Sequence, residues 1–197
     1  MSEKNYWTKV YQQNAIPTTP SLFATYCKEN LKDIASVLEV GSGNGRDALF
    51  WGQTCTVHAY DIACKPQDTQ NVTFHLGSME KVQGDHDLLY SRFSLHSVTE
   101  EVEDYILNYA KQHCRYIAIE CRTLKDKIAT ELNEYNEGNH ATTYAKAHYR
   151  RYLDFETFKS KLKTIGFNIL HAGESDTYAP YNGYKPWCLR IIATSAN

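Results

Sequence analysis

No run in this sequence approaches the ~18 consecutive apolar residues that a membrane-spanning helix needs, and Met1 to Asn14 is polar, without an apolar signal core. The expectation is a cytoplasmic protein with no membrane partner. Charge of one sign is also missing: 21 basic and 23 acidic residues leave a formal net charge of −2. Such a chain has no global field to draw in a polyanion, which argues against nucleic acid as partner. The six cysteines (27, 55, 64, 114, 121 and 188) include no pair at two-residue spacing, so they read as reduced, mostly buried thiols rather than a zinc or redox site. No carboxylate cluster has the spacing of oxygen ligands, and no metal is expected. Repeats, low-complexity tracts and linkers rich in proline, glycine or serine are absent, so the 197 residues read as a single domain, 1–197.

What is present is a globular composition, 42% hydrophobic and 13% aromatic with fifteen tyrosines, enough apolar surface to offset chain entropy. Short apolar runs bounded by turn residues predict seven strands: 36–40, 56–60, 72–76, 87–91, 116–121, 167–172 and 189–194. Helical patterns precede the first strand (Lys4 to Gln13 and Ser21 to Leu31) and alternate with the later ones (Arg46 to Gly52, Thr99 to His113, Asp154 to Ile165 closed by Gly166). Alternation of this kind predicts a mainly parallel α/β sheet covered on both faces. Gly173 to Cys188 holds no clear helix, so the last two strands should form an antiparallel hairpin. Thr123 to Tyr152 is too long for a tight connection and reads as a partly helical insertion over the carboxyl edge of the sheet.

The strongest local signal is Val37-Leu38-Glu39-Val40-Gly41-Ser42-Gly43-Asn44-Gly45-Arg46-Asp47, an apolar strand running into three alternating glycines and then a helix. Glycines at such a turn allow positive φ and close approach of a ligand to the backbone. Twenty residues after Gly41 another strand ends in Asp61, where a carboxylate can accept both ribose hydroxyls of an adenosine. Dinucleotide sites prefer G-x-G-x-x-G, whereas here the third glycine comes one residue earlier and Glu39 stands two before the first.

This pattern resembles the class I S-adenosylmethionine-dependent methyltransferases, and the resemblance spans most of the chain. It implies a Rossmann-like seven-stranded, mostly parallel sheet with a terminal antiparallel hairpin, and S-adenosylmethionine as cofactor. Carried onto this sequence, it implies contacts to the methionine end from Glu39, Gly41, Ser42, Gly43, Asn44 and Gly45, to the sugar from Asp61, and a further cofactor contact from Ile62. Gly77, Ser78 and Met79 would meet adenine, and Ser91, Arg92 and Phe93 would lie beneath the reactive methyl group. Arg46 either reaches the cofactor carboxylate or Glu39, or makes a surface pair. Tyr6, Trp7, Tyr11, Phe23 and Tyr26 fall at spacings that stripe one side of two helices, which reads for most of them as core packing against the sheet; segments before the sheet often form a lid in this family, which implies a helical lid at 1–35 with Tyr11 or Phe23 bordering the methyl group.

Arg122, Lys125 and His148-Tyr149-Arg150-Arg151, joined by Arg92 and His96, would form a small cationic pocket if they converge, suited to a phosphate, phosphonate or carboxylate. The alternative for 148–151 is a solvated helix end. Tyr178, Tyr181 and Tyr184 are placed to line the same mouth. Pro20-Ser21-Leu22-Phe23-Ala24, Ser91-Arg92-Phe93 and His148-Tyr149-Arg150-Arg151 further resemble a bacterial subgroup of small-molecule methyltransferases associated with surface polysaccharide and with phosphonate or phosphoramidate pathways. That implies O-methylation of a small anionic acceptor, with 123–152 as a substrate cap. For a hydroxyl acceptor, His96 and His148 are the candidate bases. Competing readings are a nicotinamide-dependent reductase and a non-catalytic cofactor-binding protein. Nucleic-acid methylation is disfavoured by charge and by the missing Asn-Pro-Pro-aromatic motif after the fourth strand.

Overall fold

The apolar runs become strands and the periodic segments helices, with boundaries that fall within three residues of those expected. A computed structural model describes residues 2–13, 16–126, 141–144 and 148–195. Two helices come first, α1 (Glu3–Gln13) and α2 (Leu22–Asn30). They are followed by β1 (Ser36–Val40), α3 (Arg46–Trp51), β2 (Thr56–Asp61), β3 (Val72–Leu76), β4 (His86–Arg92), α4 (Glu100–His113) and β5 (Cys114–Arg122). The chain ends with β6 (Ala141–Tyr144), β7 (His148–Arg151), α5 (Phe155–Ile165), β8 (Asn168–Ser175) and β9 (Cys188–Thr194). Seven strands form one sheet in the order β3-β2-β1-β4-β5-β9-β8. β9 runs antiparallel to both β5 and β8, and the other pairs are parallel.

Alternation along the strands splits the core between the two faces. Leu38, Val40, Leu89, Ile117 and Ile119 pack with Ile106, Leu107 and Ala110 of α4 and Phe158 and Leu162 of α5. Val37, Val57, Ala59, Leu88 and Tyr90 pack on the other side with Phe23, Ala24 and Cys27 of α2 and Ala48 and Trp51 of α3. Asp154 caps α5, its side chain accepting from the Thr157 N–H at 2.9 Å, and Gly166 closes it with φ 102°. Helix α1 buries no residue.

Residues 148–151 form a strand rather than a helix end, β7 pairing antiparallel with β6 as a ribbon so that Tyr144 stands opposite His148; the expected helical part of the insertion falls on 127–140 and 145–147, which lie outside the described residues. The ribbon rejoins the sheet at the end of β5, where the Leu153 N–H donates to the Arg122 carbonyl at 3.2 Å. The carboxyl ends of β1, β2, β3, β4 and β5 thus share one edge with the ribbon root and the 176–187 connection, whose Thr123–Trp187 bond is 3.0 Å. Among the described residues no helix is long and apolar enough to cross a membrane, and no group of three or more His, Cys, Asp or Glu could hold a metal ion.

Candidate functional site

A cavity of about 810 Å³ opens at that carboxyl edge, toward the upper end of the roughly 300–1,000 Å³ usual for small-molecule sites. The glycine loop forms one end. Gly41, Gly43 and Gly45 all have positive φ (76°, 55° and 78°). At Gly41 a Cβ would stand 2.2 Å from Ser94 Cβ, so only glycine lets β4's exit pass this close. Ser94 in turn donates to the Val40 carbonyl at 2.7 Å. Four of the loop's N–H groups are consumed within the fold: Gly41 and Ser42 donate to the Tyr60 carbonyl (2.8 and 3.0 Å), Gly45 to the Ser42 carbonyl (2.9 Å) and Gly43 to Asp61 (2.9 Å).

Asp61 also accepts from the Ala63 and Cys64 N–H groups at 2.8 and 2.9 Å. Three of its roughly four acceptor positions are therefore occupied, so its first task is to pin the loop, and one position remains for a ligand hydroxyl rather than two. Burial raises its pKa while those three backbone donors lower it. Glu39 is buried, and its Oε2 has no hydrogen-bond partner. Burial first, then the charges of Asp47 and Asp61, push its carboxyl well above the usual range. The Ser42 hydroxyl in the same wall is likewise without a partner.

Asp47 knots the wall together. It accepts from the Ser21 N–H and hydroxyl, both at 2.7 Å, and from the Tyr90 hydroxyl at 2.9 Å, joining the start of α2 to α3 and β4. Burial and neighbouring Arg92 pull the Arg46 guanidinium below its ordinary pKa. From the rim, Tyr11 of α1 reaches over the loop, its hydroxyl 2.7 Å from where a Gly43 Cβ would be.

The opposite end is made of arginines and rings. Register places Arg92, Glu120 and Arg190 side by side across β4, β5 and β9. The buried Glu120 carboxylate accepts from Arg92 Nε at 2.8 Å and from Arg190 Nε at 2.6 Å, and Arg190 also donates to the Tyr178 carbonyl at 2.7 Å. Arg122 Nη1 lies 3.5 Å from both the Tyr184 hydroxyl and Asp126, and Tyr184 donates to Asp126. Burial and that bond push the Tyr184 phenol well up.

Of the sequence-derived cofactor residues, Glu39, Gly41, Ser42, Gly43, Asn44, Arg46, Asp61, Ile62, Gly77, Met79, Arg92 and Phe93 line this cavity; of the substrate residues, Tyr11, Arg92, Arg122 and Arg150 do. Tyr178, Tyr181 and Tyr184 line it too. The others stand elsewhere. Gly45 packs against Phe74. Ser78 caps the turn Met79–Lys81, its hydroxyl bonded to Glu80 at 2.9 Å. Ser91 is buried against Ser94 at 2.6 Å. Phe23 is buried in the core, stacked on Tyr90 at 5.3 Å, because α2 turns its apolar side to the sheet. Lys125 is exposed and paired with Glu174 at 2.6 Å, while Arg151 is buried against Glu103. The Tyr149 N–H donates to Glu3 of α1 at 2.7 Å.

His96 is fully buried and does not line the cavity. Its Nδ1 accepts from the Arg122 N–H at 3.1 Å and its Nε2 faces Arg150 Nη1 at 2.8 Å. With both nitrogens against protein donors it is not placed as a solvent-side base. The side chain of His148 lies outside the described residues. Sequence reading missed the role of Asp47, whose partners Ser21 and Tyr90 are 26 and 43 residues away, that of Ser97, and that of Asp126, which meets Arg122 four residues back and Tyr184 58 residues on.

No protein-family model matches the sequence, nor does any curated protein. Among solved structures, the chain is similar to the 1,6-didemethyltoxoflavin-N1-methyltransferase of Burkholderia thailandensis, with bound 1,6-didemethyltoxoflavin and S-adenosylhomocysteine. That match has a TM-score of 0.73 and 14% identity over 99% of this chain and 84% of that one. An S-adenosylmethionine-dependent methyltransferase from Mesorhizobium loti gives 0.67 at 15% identity, over 88% and 98% of the two chains. The magnesium protoporphyrin IX methyltransferase of Synechocystis PCC 6803, with bound S-adenosylhomocysteine, gives 0.63 at 14% identity, over 98% and 93%. At these identities the likeness is one of fold: the chain has the Rossmann-like seven-stranded fold of the class I S-adenosylmethionine-dependent methyltransferases.

Proposed function

We propose that this chain is an S-adenosylmethionine-dependent methyltransferase acting on a small molecule. The observation that carries the reading is the chemistry of the glycine-loop end. Its N–H groups at 41, 42, 43 and 45 are already taken, and Glu39 and Asp61 face the same space. A pyrophosphate wants free N–H groups at a helix start, so this end is a poor seat for a dinucleotide. It suits an ammonium-bearing nucleoside, because Glu39 Oε2 is a buried acceptor without a donor. Arg46 would meet the carboxylate of such a ligand, Asp61 a sugar hydroxyl, and Gly77 and Met79 its base.

When bound, the cofactor supplies a methyl carbon on a sulfonium; an acceptor lone pair forms the new bond as the carbon–sulfur electrons stay on sulfur. The chain's part is to orient the acceptor and exclude water. Tyr11 over Gly43, and the α1–ribbon bond between Glu3 and Tyr149, support residues 1–35 as a lid and 123–152 as a cap. With His96 engaged by arginines, the finer reading is O-methylation of an acceptor that is already ionised and needs no base. Arg92, Arg122 and Arg150 on the cavity wall support an anionic acceptor, phosphoryl or carboxyl, of the kind the polysaccharide and phosphonate subgroup implies. A cytoplasmic setting belongs to the same reading and fits six free thiols, five of them buried.

Ligand linkage tests this directly. S-adenosylhomocysteine should raise the melting temperature by several degrees while NADH does not; stabilisation by NADH alone would return the reductase reading.

A further inference from the structure

We infer that the acceptor is a planar aromatic acid carrying a single negative charge, its oxyanion received by Arg122 and Ser97 and its ring laid against Phe93 and Tyr184. The inference rests on the methyltransferase reading only for deciding which end of the cavity takes the acceptor.

Two donors at the arginine end of the cavity have no protein partner. Arg122 Nε and Ser97 Oγ are both buried atoms without a hydrogen bond, and both residues line the cavity. Buried polar groups are rarely left so unless a ligand completes them. They belong to neighbouring segments, since the Arg122 N–H bonds to His96, the residue before Ser97, at 3.1 Å. His96 thereby acts as a clamp that brings the Leu95–Ser97 turn up to the end of β5.

Guanidinium groups and rings alternate along the same wall. Arg92 lies 4.3 Å from the Phe93 ring centre, and Arg122 lies 5.7 Å from Phe93 and 5.4 Å from Tyr184. Phe93 holds φ at 57°, a left-handed backbone that a bulky side chain adopts only under compulsion and that clusters at ligand sites. Its N–H is tied to the Glu120 carbonyl at 2.8 Å, which keeps the ring at the cavity wall. Tyr178, Tyr181, Pro180 and Pro186 also line the cavity, and a wall this rich in rings suits a π-system better than a compact tetrahedral group.

Geometry rather than net charge favours a monoanion over a phosphoryl dianion. Arg92 shares Glu120 with Arg190, and Arg122 Nη1 faces Asp126 at 3.5 Å. What the wall leaves open at this end is two single directed donors, Arg122 Nε–H and Ser97 Oγ–H, on an aromatic surface, and the two-oxygen edge of a carboxylate matches them.

Binding of benzoate, 2-naphthoate, benzamide and methylphosphonate to the full chain, with and without S-adenosylhomocysteine, tests this by calorimetry or ligand-observed NMR. The aromatic carboxylates should bind at least about 10-fold tighter than benzamide or methylphosphonate, the difference made by one charged hydrogen-bonding group. Arg122→Lys keeps the charge but lacks Nε–H and should weaken benzoate about 10-fold. Ser97→Ala should weaken it several-fold, and both variants should bind S-adenosylhomocysteine like the wild type, which certifies their fold. Equal binding of benzamide or methylphosphonate, unchanged benzoate binding in both variants, or no aromatic acid binding while S-adenosylhomocysteine binds would each overturn the inference. Arg122-dependent benzoate binding in a protein that ignores S-adenosylhomocysteine would uphold the aromatic-acid site and overturn only its occupant's role as a methyl acceptor.

Discussion

At the glycine-loop end of the cavity the backbone supplies the architecture: three positive-φ glycines, four N–H groups bonded inward, and one aspartate that accepts three of its own hydrogen bonds from main chain. At the other end side chains supply it, with Arg92, Glu120 and Arg190 spread over three strands, and Arg122 at the end of β5 meeting Asp126 and Tyr184 from two connections. The first arrangement is short in sequence and rigid by covalent geometry. The second is held by hydrogen bonds between residues up to 70 positions apart and depends on register. A scaffold of this kind can keep one cofactor seat while its acceptor wall changes, since no residue of the triad at Glu120 touches the glycine loop's hydrogen bonds.

The largest effect should come from the side-chain end. Glu120→Ala strands Arg92 and Arg190 in a buried position and should cost about 3–5 kcal/mol in a urea melt; a loss below about 1 kcal/mol would show that buried charge does not build this wall. Next comes the backbone end. Gly41→Ala must hold alanine at φ 76° with its Cβ on Ser94, costing about 1–3 kcal/mol and lowering the melting temperature by roughly 2–12 °C. Gly183→Ala isolates the contact, since Gly183 has φ 79° with nothing within 4 Å. If both glycine variants lose the same stability, close approach of Ser94 contributes nothing.

The two ends also differ in how far the sequence discloses them. Strand, loop, helix, strand and Asp61 follow one another, so local pattern places Glu39 and the glycines and even the strand limits of β1 and β3. The role of Asp61 was only half legible, because its ties to Gly43, Ala63 and Cys64 depend on how the loop folds back. Asp47 offers no local signal, its partners Ser21 and Tyr90 being 26 and 43 residues away. His96 has the residue type and position of a base, but the turn at Leu95–Ser97 points it inward at Arg122 and Arg150. Tyr11 and Phe23 look alike in sequence; α1 stays at the surface whereas α2 packs on Tyr90, and only the first reaches the cavity. Arg150 and Arg151 are adjacent on a strand, so alternation sends one to the cavity and the other to Glu103.

Glu39 links the cofactor seat to pH. Its native pKa lies above the ordinary carboxylate range, so the stability tied to its protonated form is complete below that range and is lost as pH rises from there through the raised native value. Glu39→Gln should therefore gain stability relative to the wild-type apoprotein as pH rises over that window. An ammonium placed beside Oε2 would reverse the preference and drive the proton off. Calorimetric titration with S-adenosylhomocysteine at a series of pH values from the ordinary carboxylate range to neutral, in two buffers of different ionisation enthalpy, reads this directly. One-site binding with proton release is predicted for the wild type, with Glu39→Gln about 10-fold weaker or worse and without the proton. No binding by the wild type, or equal affinity and equal proton count in both proteins, would contradict a cofactor seated on Glu39 and the glycine loop.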